Sequence, residues 1–143
     1  MSKLIIVADA GRAVLLSQAK PNALPDLVGE IDNPAGRAQG RDLVSDRQGV
    51  SADATGRHAH QAHTDPVDVE EEKFARTLAA RIEKDLGAND TCVLVMSPRF
   101  LGRVRGVMKD GLKKRVSTEI AKDFAHLAMH ELKTRVQEEL TKA

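Results

Sequence analysis

TCVLVMSP, residues 91–98, decides the fold class. Thr91 to Met96 is an unbroken apolar run of strand length, the pattern of a strand covered on both faces in a parallel sheet. Ser97-Pro98 follows at once, an N-cap residue type ahead of a first-turn proline, so strand passes directly into helix. Drawn at about 100° per residue, the helix from Pro98 to about Asp110 places Phe100, Leu101, Val104, Val107 and Met108 on one side. Arg99, Arg103, Arg105 and Lys109 fall on the other, with Gly102 and Gly106 among them. Val116 to Lys122 also fits helical spacing through Val116, Ile120 and Phe124, but its β-branched density favours a strand. Met129, Leu132, Val136 and Leu140 then mark a C-terminal amphipathic helix.

Upstream, Thr64-Asp65-Pro66 is a second helix start, and Asp68, Glu70, Glu71 and Glu72 crowd the positive end of its dipole. Phe74, Leu78, Ile82 and Leu86, with Ala75 and Ala79, give that helix one apolar face, and Gly87 ends it. Earlier still, Lys3 to Asp9 and Ala13 to Gln18 form a hairpin around Ala10-Gly11-Arg12. Asp26 to Ile31 adds a third strand, preceded by Pro25 and closed by Asn33-Pro34. The order β-β-β-α-β-α-β-α describes an α/β fold with a mixed five-stranded sheet, antiparallel in its hairpin half and parallel in the other. Residues 1–143 read as a single domain.

A chain of 143 residues buries roughly 68 to 70% of its unfolded surface, so no disulfide is needed. The single cysteine, Cys92, lies in the apolar run and reads as a small buried hydrophobe, in keeping with a reducing compartment. The apolar residues near the N-terminus, interrupted by Asp9, are too few for a secretory core segment, and nothing approaches the ~18 apolar residues of a membrane span. The expectation is a soluble cytoplasmic protein with no membrane contact. Trp and Tyr are absent and there are 3 Phe, which argues against a platform that stacks successive single-strand bases.

Between the third strand and the first helix runs a polar arm, residues 36–66, with four Arg, four Asp, three His and four Gly and no hydrophobic period. Loops beyond about 12 to 15 residues without secondary structure are uncommon in compact domains and are usually functional or disordered. Arg37, Arg41, Arg47 and Arg57 offer planar charged forks suited to phosphate or carboxylate. Seven basic residues between Arg99 and Arg115 face only one acid, Asp110, although the net charge of the whole chain is +1. Together these features point to phosphate clamping without base reading, by Arg37, Arg41, Arg47, Arg57, Arg99, Arg103 and Arg105. Asp42, Asp46 and His58 would position the arm, and Ser97 would mark an anion-binding turn at the carboxyl end of a central strand.

Plainer and rival readings stand beside this one. Asp42, Asp46, Asp53 and Asp65 equal the arm arginines in number, so the arm could be folded by its own Arg-Asp pairs, and the basic helix side could be a solvated face. His58, His60 and His63 are an alternative metal set, as in a metal-dependent hydrolase, but their spacing matches no closed zinc pattern. A two-metal nuclease would draw on Asp9, Glu30 and Asp32, yet the fourth strand has no acid. Ser45, His58 and Asp46 supply the residue types of a hydrolase triad without a nucleophile-elbow sequence. The expected protein is non-catalytic and needs no cofactor.

Three local motifs carry a family resemblance: GRDLVSDRQG (Gly40 to Gly49) continuing to TGRH (Thr55 to His58), SPRFLGRVR (Ser97 to Arg105), and AKDFAHLAMHEL (Ala121 to Leu132). With the element order, they resemble the bacterial host attachment family, proteins required for attachment to host cells. The resemblance implies a ribonuclease-H-like domain similar to the middle domain of eukaryotic and archaeal peptide-chain release factors, in which a long loop reaches the ribosomal peptidyl transferase centre. It therefore implies the ribosome or a structured RNA as partner, with a protein partner as the alternative. The Gly-Gly-Gln tripeptide that carries release activity is missing here; Gln39-Gly40 and Gln48-Gly49 do not reproduce it.

Overall fold

The computed structural model describes residues 2–36 and 66–142, and its centre is a parallel pair, β1 (Lys3–Ala8) and β4 (Thr91–Met96). They lie in register from Lys3 opposite Thr91 to Ala8 opposite Met96. β2 (Arg12–Gln18) runs antiparallel to β1, and β3 (Asp26–Asp32) antiparallel to β2. β5 (Val116–Ile120) adds parallel to β4. The result is a five-stranded mixed sheet, as the sequence pattern predicts, and its strand order is β3-β2-β1-β4-β5.

Both faces of the central strands are apolar because both are covered. On one face Leu4, Ile6, Cys92, Leu94 and Met96 meet α1 (Pro66–Asp85) and α2 (Pro98–Val107) through Phe74, Leu78, Ile82, Phe100, Leu101 and Val104. Phe74 and Phe100 stack across the two helices with ring centroids 6.1 Å apart. On the other face Ile5, Val7, Val93 and Val95 meet Leu132 and Val136 of the C-terminal helix, Met129–Lys142, with Ile120 and Phe124. Alternation along β1 and β4 thus serves two cores, which is why TCVLVM shows no polar side.

The end of the helix that opens at Pro98 differs from the sequence reading. The helix expected to reach Asp110 stops at Val107, because Met108 takes an extended backbone that turns its side chain into the core. A short helix, α3 (Asp110–Lys113), follows, so the C-terminal helix is α4. Val116 to Ile120 is a strand, the β-branched preference prevailing over the helical spacing. At the β2–β3 turn Asn22 has φ 65, a left-handed conformation that Asn tolerates. Its backbone carbonyl accepts from Gln137 Nε2 at 2.6 Å, tying the turn to α4.

β3 is an edge strand and is largely exposed. A bulge in its pairing sets Gly29 opposite Leu15 and Leu27 opposite Leu16, leaving Val28 between them. Among the described residues, no helix is long and apolar enough to cross a membrane.

Candidate functional site at the carboxyl edge of the sheet

β1 and β4 end side by side at Ala8 and Met96, and the chain does three things at that edge. After β1 it makes the hairpin turn. Asp9 shapes this turn, its Oδ1 accepting from the backbone amides of Gly11 at 2.8 Å and Arg12 at 2.9 Å. The carboxylate considered for two-metal chemistry is thereby engaged by the backbone. Glu30 pairs with Arg12 at 3.1 Å. Among the described residues no three His, Cys, Asp or Glu side chains group so as to hold a metal ion.

The arm also leaves from this edge. Asn33 Nδ2 donates to the Ala10 carbonyl at 2.8 Å, and the Asn33 amide donates to the Gly11 carbonyl at 2.9 Å. Gly36 lies so close that a Cβ there would collide with the Ala10 carbonyl oxygen. Only glycine permits that approach.

Finally, the chain returns to the same edge. Pro66 opens α1, and Asp68 and Glu71 in its first two turns face Arg99 and Arg103 of α2. Arg99 reaches Asp68 Oδ1 at 2.8 Å and Glu71 Oε1 at 3.3 Å. Arg103 pairs with Asp68 as well, and its Nε donates to Glu71 Oε1 at 2.8 Å. The physical basis is spacing: residues three apart on α1 and four apart on α2 each share a helix face, so two acids meet two guanidinium groups. Ser97 precedes α2 with no side-chain capping bond, although its carbonyl accepts from the Leu101 amide at 2.9 Å. With Arg99 rather than an acid in its first turn, α2 takes its complementary negative charge from Asp68 and Glu71 across the helix interface.

The open positive field expected from Arg99 to Arg115 is corrected by this geometry. Arg105 meets Glu119 of β5 at 3.3 Å, and Lys109 meets Glu83 of α1 at 3.6 Å. Arg115 turns inward, where its Nη2 donates to the carbonyls of Gly87 and Asp90. Lys113 and Lys114 are left without an ion pair among the described residues. The sequence reading assigned Asp68 and Glu71 to the helix dipole and missed their partnership with Arg99 and Arg103. The paired spacing, 68 with 71 and 99 with 103, was the signal available. Gly102 and Gly106 are exposed, and none of the described residues lies within 4 Å of the positions their Cβ atoms would take.

The structure brings together Ser97, Arg99 and Arg103, and it holds Arg105 farther along α2 against β5. Arg37, Arg41, Arg47, Arg57, Asp42, Asp46, His58, His60 and His63 lie outside the described residues, as do Ser45, Asp53, Thr64 and Asp65. Cys92 is buried, and desolvation pushes its thiol up to about 12 despite nearby Arg115. It is therefore a core residue without thiolate chemistry near neutral pH.

Comparison with known proteins finds 37% identity over 68 residues to an uncharacterized protein, RP470, of Rickettsia prowazekii (strain Madrid E). That match covers 45% of this chain and 45% of the relative, so less than half of either is aligned. The family model described as "Protein required for attachment to host cells" matches residues 4–136, from the second residue of β1 to the middle of α4. Because the match takes in all five strands and most of the helices, the chain belongs to the host attachment family.

Proposed function

We propose that the protein is a non-catalytic module that associates with the ribosome or with structured RNA, holding phosphates through Arg37, Arg41, Arg47 and Arg57. Arg99 and Arg103 anchor the root of the arm, and Arg105 lies farther along the same helix. The observation that carries this reading is the convergence of the two flanks of residues 37–65 on one edge. Gly36 packs on Ala10 after β1, and Asp68 clasps Arg99 after β4. In open α/β sheets that carboxyl edge is where ligands bind. The same proposal takes the strand order, antiparallel on one side of β1 and parallel on the other, as ribonuclease-H-like and akin to the release-factor middle domain. Peptidyl-tRNA hydrolysis is left out of it, since Gly-Gly-Gln is absent.

The test is co-sedimentation with ribosomes and with total RNA across a salt series, comparing the native chain with Arg41→Glu/Arg47→Glu/Arg57→Glu. Expected is salt-sensitive association that the variant loses, since counterion release makes phosphate binding steeply salt-dependent. No association at low salt would overturn the reading. A protein partner, with an indirect role in attachment, is the second reading, and exposed apolar residues at and before the edge strand favour it: Leu24, Leu27 and Val28 are 50%, 43% and 52% exposed.

A further inference from the structure

We propose that the cleft at the carboxyl end of α1 is a binding site for a phosphomonoester. It lies at the opposite edge of the sheet from the arm, between the start of β1, the bulge of β3 and the last turns of α1. Its volume is about 480 Å³, and Lys3, Lys84, Arg81, Ser2, Ser17 and Val28 line it together with Leu4, Asp85 and Asp90. Small-ligand sites commonly occupy about 300 to 1,000 Å³.

Arg81 is tethered at Nε, and the absence of a side chain at Gly29 leaves room for its guanidinium. Its Nε donates to Asp85 Oδ2 at 2.6 Å, and its guanidinium occupies the space a side chain on Gly29 would take, Nη2 being 2.6 Å from the position of that missing Cβ. A guanidinium tethered at Nε keeps its Nη groups for phosphate oxygens. Both acids in the lining already have partners. Asp85 is bound to Arg81, while Asp90 accepts from the Ser2 amide at 3.2 Å, Ser2 Oγ at 2.8 Å and the Gly87 amide at 3.0 Å.

Lys3 and Lys84 have no ion-pair partner among the described residues. Two lysines and an oriented arginine thus face one concavity. The α1 carbonyl terminus adds partial negative charge there, which Arg81 and Lys84 offset. Val28, set between paired residues by the bulge, and Leu4 form an apolar wall for the organic part of an ester.

The experiment is amide-resolved NMR of the full chain at constant ionic strength and mildly alkaline pH, titrated with glycerol phosphate, inorganic phosphate and dimethyl phosphate. Expected are saturable shifts in residues 2–4, 28–29 and 81–85 with glycerol phosphate and inorganic phosphate, and much weaker ones with the diester. Lys3→Gln/Lys84→Gln weakens binding about tenfold, and Gly29→Ala, which displaces Arg81, also weakens it, while the spectra report that each variant is folded. The inference is overturned by shifts that do not saturate, by shifts centred on Ser97 to Arg103, by equal affinity for the diester, or by affinity unchanged in both folded variants. Arg41→Glu/Arg47→Glu/Arg57→Glu leaves this titration unaltered, so failure of the RNA reading and failure of this site are distinguishable.

Discussion

The two ends of α1 handle charge in opposite ways. At the amino end, Asp68 and Glu71 meet Arg99 and Arg103 across the helix interface, and Glu71 is 9% exposed. At the carboxyl end, Arg81 and Lys84 look into a cleft with Lys3, and two of these three cations have no ion-pair partner among the described residues. The sequence suggests the reverse, since Arg99 to Arg115 is the concentrated basic run and Lys3, Arg81 and Lys84 are scattered. A field belongs to the folded surface, so the Arg99 to Lys109 part of a dense run is neutralised by the acids it meets, whereas dispersed cations can be gathered by topology.

Apolar packing docks α1, and the charges at its ends set only local geometry. Leu78, fully buried midway along α1, tests this most severely. Leu78→Ala is expected to cost about 2 to 5 kcal/mol, read as a lower urea midpoint. If a charge removal at either end costs as much, the helix is held by its ends instead.

Next in size is the contrast within the amino-end cluster. Arg103→Met leaves Glu71 buried with Arg99 Nε at 3.3 Å as its remaining guanidinium partner, at an expected loss of about 1 to 3 kcal/mol. Arg99 is 63% exposed, so Arg99→Gln is expected to cost about 0 to 1 kcal/mol. Denaturation at low and high salt separates them, because added salt screens the Arg99 contribution more. Equal costs would mean that burial does not rank these two arginines.

At the carboxyl end, Gly29→Ala meets only the tip of a flexible side chain. Its stability effect is expected to stay within about 1 kcal/mol, while the displaced guanidinium weakens phosphate binding. A large loss of stability would show that Arg81 cannot yield, and that Gly29 serves the fold before it serves the cleft.

Much of the fold was legible because each core strand and helix carries a local signal. TCVLVM announces two covered faces, and Ser97-Pro98 marks where α2 begins. The end of α2 was not legible, since Met108 is apolar and continues the helical period; only the depth of the core makes it leave the helix. The basic side of α2 was legible as a face, but its partners sit on a helix about thirty residues earlier, and pairing at that range is set by tertiary packing. The cleft was invisible for the same reason. Lys3, Gly29 and Arg81 share no local pattern, and only the packing of α1 on the sheet sets them side by side. Residues of the arm carried the most specific motifs and lie outside the described residues.

The smallest expected effect concerns the clasp that occupies Asp90. The Ser2 hydroxyl, aided by the amides of Ser2 and Gly87, holds the Asp90 carboxyl below the ordinary 3.8, against an opposing contribution from burial. A carboxylate with a depressed folded-state pKa contributes stability above its unfolded value and loses it as pH falls through the folded value. Ser2→Ala should therefore destabilise slightly at neutral pH, with the difference from the native chain vanishing in acid, where Asp90 is protonated in both states. Glu139 serves as internal control, since its carboxyl is lowered first by Lys122 on the other side of the sheet and Ser2→Ala leaves it alone. Urea unfolding at neutral and acidic pH gives the comparison. A difference that persisted into acid would mean that Ser2 acts through packing rather than through the Asp90 charge. A difference that vanished would mean that the hydroxyl keeps this acid occupied, and the same variant should then weaken phosphate binding by freeing Asp90 toward the lysines.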